Sequence, residues 1–272
     1  LITDPGDEDY LESGMRLNRA DFDKAVLEMK AHNQKIPEGV PANPVYLPSP
    51  GSVLTAFIHA FSNPVGSGSE KSIPQAFWHS IQIIFWGFVI SSLIGVPLGV
   101  MCGALPALSR LVEPSVDFFR YLPAPAFGAL AVAILGIYDA PKIAIIVIGT
   151  LFQQILVIAN TTRKLDFALV EAARTLGAKG LKLLLRVVVP GILPDLYRDQ
   201  RILLGWAWTY LIVAELIGTS SGITWFITQQ ARYQHFDNVY AAMALIGIAG
   251  LGTDMMLGLL ARFFFTWKRE QV

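Results

Sequence analysis

Charge is scarce in this chain. Only 15% of its 272 residues are charged, and 21 Lys and Arg balance 21 Asp and Glu, so no global field points to nucleic acid or to an acidic partner. Cysteine is nearly absent. Cys102 stands alone in an apolar run, which excludes an intrachain disulfide and a multi-thiolate metal site and leaves packing as its role. His32, His59, His79 and His235 are scattered with no close pair at metal-ligand spacing, and no serine lies in a nucleophile elbow, so neither metal hydrolysis nor acyl transfer has a constellation to work with. A run from Gly66 to Ser72 looks superficially like a phosphate loop, but Glu70 stands before Lys71 where glycine is required. No basic, apolar leader precedes the acidic opening of Asp4, Asp7, Glu8, Asp9 and Glu12, and the chain is expected to begin part-way through its gene product.

Apolar residues, by contrast, make up 53% of the sequence, and the mean hydropathy of +0.50 indicates a membrane protein. The expected fold is an all-α polytopic bundle with about five spans: A from Phe77 to Leu105, B from Leu111 to Ile137, C from Pro141 to Thr161, D from Arg201 to Gly218, and E from Val239 to Phe265. Pro114, Pro123 and Pro125 must bend or break span B, and a broken helix at membrane depth is tolerated only beside protein or a water-filled cavity. Gly95, Gly99 and Gly103 in span A allow another helix to approach closely. Ahead of the spans, residues 1–75 read as an external arm. It carries one short helix with Phe22, Val26 and Met29 on a face and Asn18 as cap, then a proline-rich extended connector from Pro37 to Pro50. Lysine and arginine bias places 163–198 and the tail 268–272 in the cytoplasm and the loop from Ser221 to Asp237 outside. An external polar arm needs something to translocate it, so a span upstream of Leu1 is expected.

Between spans C and D, Glu171-Ala172-Ala173 is followed by Gly177, then Val187, Val189 and Pro190. This spacing resembles the EAA signature of the membrane subunits of bacterial ATP-binding-cassette importers, with valine standing for isoleucine and leucine at two places. Physical chemistry supports a docking element here: Leu165, Leu169, Ala172 and Leu176 recur at helical spacing, Asp166 suits an N-cap, and Gly177 suits a left-handed stop before a second helix. The plainer alternative is an interfacial helix whose basic face meets anionic lipid. Leu47-Pro48-Ser49-Pro50, Arg120-Tyr121-Leu122-Pro123, Ala207-Trp208, Ala214-Glu215 and the segment from Gly218 to Gly222 are similar to the nitrate, sulfonate and taurine branch of that family.

The resemblance implies a permease without catalytic residues or a cofactor of its own. Two ATP-binding subunits, which hold ATP and magnesium, would sit on a coupling element built from Glu171, Ala172, Ala173, Leu176, Gly177 and Pro190. A second permease and an external substrate-binding protein would complete the machine in the inner membrane. Ionisable groups within the bilayer mark cavities or partners. Arg120, Gln153, Gln154 and Glu215 are accordingly the pathway candidates. Each has a plainer role: Arg120 can snorkel or pair with Asp117 and Glu113, the glutamines can join helices, and Glu215 can satisfy a helix end. Asp254 is expected to pair within the bundle. A secondary transporter would show related halves and a membrane enzyme would show a convergent acid–base set; neither pattern is evident.

Overall fold

The computed structural model describes residues 2–4, 19–32, 34–39, 47–62, 73–217 and 221–266, and the chain divides into two compact units, Leu1–Val53 and Leu54–Val272. In the first, α1 (Arg19–Ala31) buries Ala25 and Met29 on one side, with Phe22 packed against Ala25 and Ile2. The expected cap Asn18 and most of the acidic opening lie outside the described residues. Two short strands, β1 (Ile2–Asp4) and β2 (Glu38–Gly39), pair antiparallel with Ile2 opposite Gly39, an addition to the all-α expectation. The proline-rich segment does not stay extended to Pro50. That residue opens α2 (Pro50–Ser62), where Ser49 Oγ accepts the Ser52 amide at 3.2 Å and the missing proline N–H costs nothing.

The second unit is a helical bundle. Span A is α3 (Ile73–Ala104), span C is α6 (Asp139–Arg163) and span E is α11 (Phe236–Phe264), and each is long and apolar enough to cross a membrane. Span B is broken as its prolines require: α4 (Pro106–Arg120) turns by 86° into a 3-10 turn (Ala124–Phe127) and α5 (Gly128–Leu135). The break falls at Tyr121–Pro123, whereas Pro114 is accommodated inside α4. Span D is α9 (Val189–Ile217), which begins well before the expected Arg201. Asp195, Arg198, Asp199 and Arg201 in its first half keep it from the uniformly apolar character of the other three. The expected loop from Ser221 to Asp237 instead contains a helix, α10 (Ile223–Arg232).

Glycines set the central packing. A Cβ on Gly87 would lie 2.7 Å from Ile146, one on Gly95 2.8 Å from the Gln154 side chain, and one on Gly99 2.9 Å from both the Ile155 carbonyl and Ile158; Gly103 meets Thr162 in the same way. Partners on α6 advance in step with the glycines on α3, so these two helices run parallel with almost touching backbones, as the small-residue spacing predicts. Gly149 repeats the device where α6 meets Tyr210 of α9. The core beyond the stripe is apolar, with Ile83, Ile84, Ile145, Leu211, Ile223 and Phe226 among its members. Because α3 and α6 are parallel, their C-terminal ends share one end of the bundle with the segment leading to α9, and their N-terminal ends share the other with α10.

Candidate functional site: the helical elbow between α6 and α9

The segment after α6 is built by local rules at each turn. Asp166 caps α7 (Phe167–Thr175), its Oδ1 accepting the Ala168 amide at 2.9 Å. The helix ends in a Schellman arrangement: the Ala178 amide reaches back to the Ala173 carbonyl at 2.9 Å and the Gly177 amide to Arg174 at 3.0 Å. Gly177 adopts φ +87° between them, a conformation that a Cβ disfavours. Lys179 is extended, and Gly180 at φ +53° opens α8 (Gly180–Leu183). That short helix runs through a π turn (Leu184–Val188) directly into α9. Pro190 lies in the first turn of α9, where its missing N–H leaves the Arg186 carbonyl without its i+4 donor and favours the wider turn.

No residue of α7 is buried. Val170 and Ala173 are half-buried, whereas Glu171 and Ala172 are exposed, and so are Leu169 and Leu176, the latter at 89%. Of the apolar row read from the sequence, Leu169, Ala172 and Leu176 therefore point away from this chain, whereas Leu165 packs inward against Val100, Ile158 and Ile192. Behind the elbow, Leu165, Val170, Leu181 and Leu184 line a cleft of about 880 Å³ that reaches Met101 and Gly103 at the end of α3, with Arg174 and Lys179 in its wall.

Each pathway candidate has its own surroundings. Arg120, at the C-terminal end of α4 beside the bend, donates from Nε to Asp117 at 2.9 Å and from Nη2 to the Tyr121 hydroxyl at 2.9 Å. Glu113 is not its partner; it pairs with Arg163 of α6. Gln154 is fully buried and joins three helices, accepting from Ser91 at 2.8 Å and donating to Ser92 at 3.0 Å and to Gln200 at 3.2 Å. Gln153 is half-buried. Glu215 is 1% exposed: Oε2 accepts the Thr224 amide at 2.8 Å, and Oε1 accepts from Ser80, whose Oγ in turn accepts the Ile223 amide at 2.9 Å. This carboxylate is engaged at the start of α10, in keeping with its plainer role.

Three buried or part-buried polar groups were assigned to no site from the sequence. Lys142 is 0% exposed, with Nζ 2.5 Å from Ser221 Oγ and 3.3 Å from both the Ser221 carbonyl and Asp139. His79 lies 2.9 Å from the same Asp139 carboxylate. Asp199 accepts from Thr161 inside the α6–α9 contact. A lysine one residue after Pro141, at the head of an apolar run, was the available signal. Among the described residues no cluster of three or more His, Cys, Asp or Glu could hold a metal ion.

The described residues thus form a bundle of membrane-length helices with an exposed helical elbow at one end. Residues 95–268 match the family described as the binding-protein-dependent transport system inner membrane component, and the chain belongs to that family. A protein of Escherichia coli named for aliphatic sulfonate transport is 32% identical over 226 residues, 82% of this chain and 82% of its own length. The taurine transport system permease of the same organism is 27% identical over 228 residues, 84% of this chain and 82% of the relative. Among solved structures, an inward-facing form of the MetNI methionine ABC transporter shares the fold with a TM-score of 0.62 at 21% identity, over 68% of this chain and 92% of that one. The chain is thus an inner-membrane permease subunit, similar to the nitrate, sulfonate and taurine branch.

Proposed function

We propose that this permease imports a small anionic solute of the sulfonate or taurine kind and draws its energy from two ATP-binding subunits docked on α7 and α8. The observation that carries the reading is the outward face of α7. Glu171, Ala172 and Leu176 are exposed on a helix with a side-chain cap at one end and a glycine stop at the other, which preorganises the surface for a partner and lowers the ordering cost of docking. Ala172 and Ala173 allow close approach, Glu171 offers a carboxylate to a basic group, and Pro190 starts the helix that would carry movement into the bundle. A second permease, expected to be another copy, and an external substrate-binding protein complete the assembly. The elbow and the C-terminus would face the cytoplasm and residues 1–75 the outside, as the basic residues of 163–198 favour.

The pathway would run beside the bend after α4, where Arg120 attracts the anion and the half-buried Gln153 lines the route. Gln154 and Glu215 would act on it through the helices they join. Glu171→Lys is the direct test, because charge reversal on an exposed residue leaves every span intact. In a purification from membranes, the unaltered chain is expected to bring down an ATPase of the phosphate-loop type. The variant should be present in the membrane in similar amounts with little of that subunit attached. Uptake by a chain that never associates with an ATPase would instead establish a secondary transporter.

A further inference from the structure

Resting on that reading, we propose that Lys142 is a positioning residue, the latch that closes the end of the pathway opposite the α7–α8 elbow by holding the start of α10. Three residues at this start are each fastened by a different span. Ser221 is held by Lys142 of α6, the Ile223 amide by Ser80 of α3, and the Thr224 amide by Glu215 of α9. Between them Gly222 takes φ +105°, and a Cβ there would run into the Glu215 carboxylate. With 10 residues, α10 is about 15 Å long at about 1.5 Å per residue, roughly half of an ~30 Å hydrocarbon layer. It is therefore a half-length helix set between full spans, and its position depends on what grips it.

The three fastenings are not equivalent. Glu215 and Ser80 satisfy backbone donors that have no intrahelical partner, so releasing them would orphan buried groups. Lys142 has a second partner, Asp139, one turn earlier on its own helix, and that carboxylate also meets His79 of α3. If Ser221 leaves, the lysine keeps its counter-charge, and the serine gives up its hydroxyl and carbonyl contacts to Nζ without orphaning an amide donor. The Lys142–Ser221 contact is accordingly where α6 and the start of α10 can part at low cost, with Gly222 at φ +105° beside it as the flexible point. A lysine this fully buried is otherwise costly to keep, and a task at this contact accounts for its presence.

The test uses the complete transporter, reconstituted with its ATP-binding subunits and with or without the substrate-binding protein. Lys142→Met keeps the length of the side chain and removes the charge; Ser221→Ala removes only the hydroxyl. Both are expected to assemble normally and to hydrolyse ATP several-fold faster than the unaltered complex when the binding protein is absent. Stimulation by that protein should shrink correspondingly, less in Ser221→Ala because the carbonyl contact remains. An unchanged ratio of stimulated to unstimulated hydrolysis in both variants overturns the latch, as does loss of assembly in both, which would make the contact a packing feature only. The unaltered complex is the internal control for the importer reading: if the binding protein does not stimulate it, that reading fails, whatever the variants do.

Discussion

Arg201 of α9 grips Asp254 of α11 through two parallel contacts, Nε to Oδ1 at 3.1 Å and Nη2 to Oδ2 at 2.9 Å. The planar fork of the guanidinium fits a carboxylate in this way, and the pair ties the last span to the bundle. Of the full-length spans, α11 buries the least of its own apolar stretch, so a single charged clamp matters more there than it would between helices with a broad interface. Asp254→Leu leaves an arginine without its partner and is expected to be worse than the double change Arg201→Leu with Asp254→Leu, by about 1 kcal/mol or more. Thermal inactivation of the purified chain in detergent reads the order. A double variant that is less stable than the single one would show that the pair itself, and not the stranded charge, is what counts.

Where α3 meets α6, Gly99 has no room for a side chain, since the first carbon would already meet the Ile155 carbonyl at 2.9 Å. Backbone cannot move aside as a flexible side chain can. Gly99→Leu is expected to cost about 1–3 kcal/mol through overpacking and to lower the inactivation temperature clearly. Gly252→Leu, at a site on α11 where a Cβ meets nothing within 4 Å, should change it little. Equal effects at both sites would refute the packing account.

The left-handed stop of α7 offers a second, local lever. Gly177→Val opposes φ +87° with a β-branched side chain at a cost of about 1–2 kcal/mol, and nothing surrounds the position to compensate. Membrane insertion is expected to be normal, with uptake and ATPase stimulation falling together. Asparagine tolerates the left-handed region better, so Gly177→Asn should retain more of both activities. If valine and asparagine behave alike, backbone strain at the turn is not what the site requires.

Arg120 stacks 4.5 Å above the Tyr121 ring while it donates to Asp117. That contact holds the guanidinium at the bend without burying it. Arg120→Gln is expected to lower the rate of anion uptake and leave assembly intact, since loss of a charge contact to substrate can cost about 2 kcal/mol or more. Arg120→Lys should recover part of the rate. Uptake by the glutamine variant at the unaltered rate would assign Arg120 to the helix end alone.

Much of this protein can be read along the chain, and the particulars show why. Spans A, C and E come within a few residues of α3, α6 and α11 because hydrocarbon-length apolar runs leave few alternatives. Both ends of α7 are legible for a different reason: an Asp cap and a left-handed glycine satisfy backbone groups within a few residues of themselves. Less legible was α10, which mixes Ile223 and Phe226 with Thr224, Gln229, Gln230 and Arg232 and is too short for its periodicity to stand out from a loop. The start of α9 was misplaced because its first turns carry the charge expected of a connecting segment.

By itself, the sequence determined the class of protein, the membrane bundle, the break in span B and the form of the elbow, since each follows from hydropathy, proline stereochemistry or bonds between near neighbours. Only the tertiary structure decided which face of α7 is left exposed, that Gln154 joins α3 to α9, and that Lys142 and Glu215 converge on the first residues of α10. Those outcomes rest on groups brought together from positions far apart in the chain. Whether a buried charge or amide is satisfied depends on who stands opposite, and that is settled only when the helices pack.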